Sequence, residues 1–294
     1  MFIDIHGHCI QEKSCPNPLN GRQYISTPDV LVKRYDEVGI EKAVILPLVN
    51  PENCYITQSN EEPWRILEQY PGRFIPFCNV DPRTVYNNFR APLDKILAYY
   101  HEKGAKGVGE VCANLPILDP RMQNLFAAAE ETGMVLTFHL APYLGNLYGM
   151  IDDAGLPQLE ISLKRFPKLK FFGHSQTFWA EMGANPTIID RLGYPKGKIE
   201  KEGRIPQLMR EYPNLYGDLS AGSGCNALSR DREHAAKFLE EFQDRLFFGT
   251  DICCPDFLAT PLVDLLLDMR AKGEISETVF QKVARENAIR VLGL

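Results

Sequence analysis

Eight short apolar runs, rich in β-branched and aromatic residues, recur along this 294-residue chain, and helical periodicity fills the spaces between them. The runs are residues 2–8, 43–48, 74–80, 105–111, 134–139, 169–174, 214–220 and 246–251. Parallel strands need a crossover of about a dozen residues or more, and the intervening segments are long enough to provide one each time. Helical patterns fall at 28–39, 64–70, 92–103, 121–132, 157–166, 205–212, 232–242, 262–272 and 277–292, with Thr27 placed to cap the first and Gly133 to end the fourth. This alternation predicts an α/β chain folded as a single closed (β/α)8 barrel spanning residues 1–294. An open doubly wound sheet lacks its best support, because no Gly-x-Gly-x-x-Gly follows the first run. Segments 15–21, 141–157 and 182–203, rich in Pro and Gly, read as enlarged βα loops on the catalytic face.

Charge and hydropathy narrow the function. A net charge of -6 without any dense Lys/Arg run argues against a nucleic-acid surface. No apolar segment is long enough to span a bilayer, and the first residues lack the basic head and apolar stretch of a secretory signal. A cytoplasmic protein acting on a small molecule is therefore expected, with its eight cysteines reduced and no Cys-x-x-Cys knuckle among them. Cys9 and Cys253, which adjoin the strand-end motifs below, are the candidate functional thiols. A homo-oligomer is compatible with this reading, but no sequence feature marks an interface.

The strand ends carry the chemistry. In Phe2-Ile3-Asp4-Ile5-His6-Gly7-His8, alternation lets His6 and His8 share one face. His139, His174 and Asp251 end later runs. A metal needs ligands converging from distant parts of a chain, and the C-terminal ends of barrel strands converge. One such histidine alone reads as a hydrogen-bonded strand-end residue; the recurrence argues for a metal. Imidazoles with a carboxylate suit Zn²⁺ first, and also Mn²⁺ or Fe²⁺. His101 and His234 sit in polar helical surroundings and read as surface residues.

These motifs, with Thr137-Phe138-His139, Phe172-Gly173-His174, Phe248-Gly249-Thr250-Asp251 and the closing 286–294 segment, make the whole chain resemble the amidohydrolase superfamily. Within it, the resemblance is to the "amidohydrolase 2" branch that contains aminocarboxymuconate semialdehyde decarboxylase. The resemblance implies that His6, His8, His139 and Asp251 hold a catalytic metal, with His174 beside it for proton transfer or oxyanion stabilisation. Asp251 would accept a proton from a water acidified by the metal. Binuclear members place a carboxylated lysine at the end of strand four, where this chain has Glu110. Glu110 is therefore a candidate ligand, with one or two ions bound; in the two-ion case His139 and His174 would take the second. Its alternative role is to orient a ligand histidine.

Gln176 and Trp179, just past the sixth run, are candidate substrate-binding residues. Asn79, Asp81, Asn114, Asp218 and Ser220 are weaker candidates, Asp218 and Ser220 sharing a face by their spacing. The 141–149 segment could act as an aromatic lid, and Arg22, Arg83 or Arg204 could reach in from loops. The leading expectation is a metal-dependent hydrolase of a small amide, ester or lactone. Next come non-oxidative decarboxylation or hydration of a small unsaturated or aromatic acid, then a non-catalytic, metal-stabilised binding module.

Overall fold

The computed structural model describes residues 1–52, 55–145 and 147–294. Its first half runs β1 (Phe2–Gly7), α1 (Pro28–Val38), β2 (Ile40–Ile45), α2 (Glu62–Gln69), β3 (Phe74–Pro76), α3 (Leu93–Glu102), β4 (Gly107–Val111) and α4 (Pro120–Thr132). There follow β5 (Val135–Ala141), β6 (Met150–Ile151), α5 (Pro157–Arg165), β7 (Phe171–His174), α6 (Gln176–Ala180), α7 (Ile188–Leu192) and α8 (Arg204–Glu211). The chain finishes with β8 (Leu215–Asp218), α9 (Ala221–Ser229), α10 (Arg232–Glu241), β9 (Leu246–Phe247), α11 (Pro261–Ala271), α12 (Glu277–Gln281), a π-turn (Lys282–Glu286) and α13 (Asn287–Leu292). Among the described residues no helix is long and apolar enough to cross a membrane.

Among the described residues the strand pairs are parallel, in the orders β1-β2-β3 and β4-β5-β7-β8-β9, while the short β6 pairs with β5 off this path and bridges Pro116. Backbone hydrogen bonds join the two arcs. On one side Cys78 N–H donates to Gly107 O at 3.0 Å and Gly109 N–H to Cys78 O at 2.9 Å. On the other, Ile5 N–H donates to Phe248 O at 3.1 Å, Asp251 N–H to His6 O at 2.8 Å, and His8 N–H to Ile252 O at 3.2 Å. These bonds close the eight strands into the expected barrel.

Two apolar layers hold it. Ile3, Ile5, Val44, Leu46, Ile75, Phe77, Val135, Phe172 and Phe247 form one cluster inside the barrel, and Ala288 and Leu292 of α13 complete it as a plug. The opposite strand faces, with Phe2, Ile45, Val108, Leu136, Phe171 and Leu246, pack against the helices in a second, larger cluster. Each fully buried side chain of this size contributes about 1.5–3 kcal/mol over exposure.

Strand register shifts between Phe2 and Ile3 of β1, and at two further places that bear on the site. From Asp4 to Gly7, β1 advances three residues while β2 advances two, Ala43 to Ile45. From Val108 to Val111, β4 does the same against Leu136 to Phe138 of β5. Each extra residue is a bulge, and a bulge re-aims the side chains around it. Strict alternation would put Asp4 and His6 on one face. Instead Asp4 bonds Tyr35 of α1 outside the barrel, and His6 turns inward after Ile5.

Four short elements were not legible in the periodicity. The segment 141–157 contains β6, and 182–203 contains α7, so neither enlarged loop is wholly irregular. Helices α6 and α9 follow their strands almost directly; the first is only five residues long and the second carries Gly222 and Gly224, which weaken any helical signal. The expected helix 277–292 holds a π-turn, and there Phe248 N–H of the barrel reaches Val283 O at 2.9 Å. Gly133 ends α4 in the left-handed region as expected. Thr27 stands at the start of α1, but its hydroxyl bonds Asp29 instead of a helix N–H.

Candidate metal centre

At the C-terminal ends of the strands, four acceptor atoms face one another. His6 Nε2 lies 3.2 Å from His8 Nε2 and 3.6 Å from Glu110 Oε2, while His8 Nε2 lies 3.4 Å from Glu110 Oε2. Asp251 Oδ1 is 3.5 Å from both imidazole nitrogens. The partners of the other ring nitrogens assign the tautomers. His8 Nδ1 sits 3.0 Å from Leu46 O, which only accepts, and His6 Nδ1 sits 2.6 Å from the Asp218 carboxylate. Each Nδ1 therefore carries the proton, and in the neutral rings each Nε2 presents a lone pair. Two lone pairs and two carboxylates so close together repel unless a cation or protons stand between them.

A divalent metal fits these donors. A tetrahedral ion with N and O ligands at about 2.0–2.2 Å spaces neighbouring ligands roughly 3.3–3.6 Å apart, close to the separations above. A carboxylate or carbonyl behind each ligand imidazole is the usual supporting arrangement, supplied here by Asp218 and Leu46. His174 lies alongside: its Nδ1 is 2.9 Å from Ser220 Oγ, and its Nε2 is 3.7 Å from Asp251 Oδ2 and 3.8 Å from Glu110 Oε1. The expected ligand His139 has its Nδ1 2.8 Å from Glu110 Oε1. Glu110, also a candidate ligand from the sequence, stands beside His6 and His8, and the β4 bulge lies next to it. Two further groups of donor atoms within 4.8 Å of one another adjoin that of His6, His8 and Glu110: His6, His174 and Asp251, and Glu110, Cys112 and His139.

Local backbone sets these positions. Asp4, fully buried, accepts from His6 N–H at 2.9 Å, Thr250 N–H at 2.9 Å, Thr250 Oγ1 at 2.5 Å and Tyr35 Oη at 2.9 Å, tying β1 to the strand end that bears Asp251. Asn79 donates to Glu110 O at 2.7 Å and to Pro47 O at 2.9 Å. Gly109, at φ 139°, lets β4 approach Thr137, whose carbonyl oxygen would lie 2.5 Å from any Cβ. Asp251 itself is left-handed at φ 56°, a conformation Asp tolerates better than most residues.

The electrostatics agree with a cation site. Burial disfavours a charged imidazole at His6, but Asp218, Asp251 and Glu110 outweigh it and hold the ring well above the ordinary histidine range. At His8 burial is likewise overcome, by hydrogen bonds to Asp251 and Glu110, and the ring is raised to about 9. Burial would raise Glu110 and Asp251, yet His6 and the neighbouring histidines hold both below the usual carboxylate range. His174 differs: burial, then the charge of His6, lowers it to about 4, so it is neutral at pH 7.

A cavity of about 70 Å³ opens above the cluster, lined by His8, Glu110, His139 and Asp251 and walled by Tyr24, Ile25, Leu48, Tyr148 and Cys253. Tyr148 comes from the proposed lid segment and packs on His139 with ring centres 4.5 Å apart. Asn114 anchors that segment, donating to Gly149 O at 3.0 Å and accepting from Gly145 N–H at 2.7 Å. Asn146 of the same segment lies outside the described residues. Neither expected substrate contact lines this cavity. Trp179 is buried on the inner side of α6, its indole N–H donating to Asp218 O at 2.9 Å, so it supports the site from below. Gln176 opens α6, half-buried and away from the cavity lining. The loop arginines are also engaged elsewhere: Arg22 with Asp256, Arg83 with Glu52 and Asp81, and Arg204 with Glu160. Asp218 and Ser220, rated weakly from sequence, orient His6 and His174; their two-residue spacing at a strand end was the available signal.

A closed parallel (β/α)8 barrel with convergent imidazoles and carboxylates at its strand ends defines the class of barrel proteins built to hold a divalent metal at the catalytic face. Residues 3–294 match the family described as Amidohydrolase, and the chain belongs to that family. No curated protein matches the chain by sequence. Among solved structures, an amidohydrolase from Burkholderia multivorans with bound Zn is 14% identical, with a TM-score of 0.64 and coverage of 100% of this chain and 99% of that one. A probable 2-pyrone-4,6-dicarboxylic acid hydrolase from Acinetobacter baumannii is 15% identical, at a TM-score of 0.61 and the same two coverages. The 5-carboxyvanillate decarboxylase of Sphingomonas paucimobilis is also 15% identical, at a TM-score of 0.60 and again 100% and 99% coverage. These likenesses establish the barrel fold.

Proposed function

We propose that this chain is a metal-dependent hydrolase of a small amide, ester or lactone, with Zn²⁺ as the first candidate ion and His6, His8, Glu110 and Asp251 as its ligands. When bound, the metal would acidify a water and polarise a carbonyl. The observation that carries the reading is the divided carboxylate of Asp251. Its Oδ1 faces both ligand imidazoles, whereas its Oδ2 is turned toward His174. One oxygen is placed to hold the cation and the other to accept a proton. His174, neutral at pH 7 and held at Nδ1 by Ser220, presents Nε2 toward the same side, where it can exchange a hydrogen bond with a substrate oxygen. Tyr148 and Tyr24 supply apolar ring faces that limit water around the reacting group.

Non-oxidative decarboxylation of a small unsaturated or aromatic acid is the second reading. It is favoured by the cavity wall, which offers aromatic and aliphatic surface and, among the described residues, has no Lys or Arg. A metal would be the principal anchor for a carboxylate there.

The test is a screen of Zn²⁺-reconstituted protein against pooled lactones, amides, esters and unsaturated or aromatic acids, read by product mass. Addition of water, or paired fragments from an amide or ester, is expected. Loss of carbon dioxide would replace hydrolysis by decarboxylation. Asp251→Asn should remove turnover while the barrel stays folded by circular dichroism, and full activity in that variant would sink the assignment.

A further inference from the structure

The cavity above the donor cluster has a volume of about 70 Å³. An apolar cavity of about 150 Å³ takes in benzene, and sites for drug-sized ligands run to roughly 300–1,000 Å³. Whatever bounds so small a space also selects what enters it. Among the described residues its apolar walls are Tyr24, Ile25, Leu48 and Tyr148. Ile25 and Leu48 are buried with Ile10 in a small core cluster of their own, and moving them would open that core.

Tyr148 differs. It is 42% exposed, yet its ring packs on His139 with centres 4.5 Å apart. The backbone beside it is tied on both sides of Gly149. Gly149 N–H donates to Cys112 O at 2.7 Å, and Gly149 O accepts from Asn114 Nδ2 at 3.0 Å. The same Asn114, itself buried, accepts from Gly145 N–H at 2.7 Å through its Oδ1. At Gly149, with φ 111°, a Cβ would lie 2.9 Å from His139 Cδ2 and 2.9 Å from the Leu140 carbonyl carbon, so the chain passes this close to β5 only as glycine. Met150 then pairs with Leu140 to begin β6. The ring is therefore carried on a fixed stretch of chain, over one of the histidines of the site.

We propose that Tyr148, positioned by Asn114, sets the size limit of the site: the acyl group beside the metal is a short open chain, and a benzene-sized ring is excluded. This rests on the hydrolytic reading above, whose substrate class it narrows to amides and esters of short aliphatic acids. Under the second reading the same wall admits an open-chain unsaturated acid and turns away an aromatic one.

The test uses the full chain loaded with Zn²⁺ and two probes that share one metal-binding group, acetohydroxamate and benzohydroxamate, with affinities measured by isothermal titration calorimetry. The probes differ only in the group on the hydroxamate carbonyl, so the ratio of their dissociation constants reads the wall whichever reaction the site performs. In the wild type benzohydroxamate should bind at least about tenfold more weakly, the factor expected when a ring is forced against a closed wall. Tyr148→Ala should abolish or invert that preference, and Tyr148→Phe, which keeps the ring, should retain it. Asn114→Ala should lose most of it. The proposal is overturned if the wild type binds benzohydroxamate as well as acetohydroxamate, if Tyr148→Ala keeps the wild-type ratio, or if Tyr148→Phe loses it. A wild-type ratio in Asn114→Ala would remove Asn114 from the positioning role. Binding of neither probe would sink the metal site, and with it both this proposal and the hydrolytic reading, whereas an unselective wild type leaves hydrolysis standing.

Discussion

A neutral imidazole has one lone pair, and the partner of its protonated nitrogen decides where that lone pair points. At His6 this partner is Asp218, 2.6 Å from Nδ1 and fully buried. Asp218→Asn keeps the shape of the side chain but removes its charge, so the ring loses both its orientation and some of its basicity. Affinity for Zn²⁺, measured by competition with a chelating dye, should fall about 10–100-fold. Unchanged affinity would remove Asp218 from the site's supporting structure. This residue also marks the limit of reading side chains from sequence. His6, His8 and Asp251 announce themselves by type and position. Asp218 is an ordinary strand-end carboxylate until folding brings it 212 residues back along the chain to His6.

At the scale of elements, small departures from regularity place the chemistry. The β4 bulge lies next to Glu110, and it depends on Gly109 lying against Thr137. Gly109→Ala would put a methyl group 2.5 Å from the Thr137 carbonyl oxygen at a φ of 139°. The expected cost is about 1–3 kcal/mol in urea unfolding, accompanied by weaker Zn²⁺ binding. A urea midpoint equal to the wild type would mean that the bulge relaxes freely. Asp152, just after β6, shows a second elemental effect. Its carboxylate accepts from the N–H groups of Asp153, Gln158 and Leu159 at the start of α5, yet burial raises it from 3.8 to about 6. Between those values the folded chain keeps a proton that the unfolded chain has released. This contribution to stability is therefore present at pH 4 and is lost as the pH rises through about 6. Asp152→Asn should flatten that part of the pH–stability curve, measured by thermal unfolding from pH 4 to 7. An unchanged slope would mean that the carboxylate is ionised throughout. Bulges and buried caps escaped the sequence reading because periodicity reports the average path of an element, whereas a bulge is a one-residue exception to it.

The whole molecule separates its stabilising end from its chemical end. Leu292 of α13 is packed into the interior cluster at the base, while the donor atoms sit at the C-terminal ends of the strands. Leu292→Ala should cost about 2–5 kcal/mol in denaturant unfolding and leave Zn²⁺ stoichiometry unchanged. Loss of metal from the folded variant would contradict that separation. The chain's own order of residues determined the eight strands, the helices between them and the identity of most candidate ligands, because hydrophobic period and side-chain type are local properties. Closure also followed, since eight parallel βα units fit a barrel. Only the tertiary structure decided that Glu110 joins His6 and His8 and that His139 bonds its carboxylate. Only it showed that Asp218 and Ser220 aim the imidazoles, and that Trp179 faces the core. Those outcomes depend on bulge positions and on contacts between distant strands, where a shift of one residue exchanges the inner and outer faces.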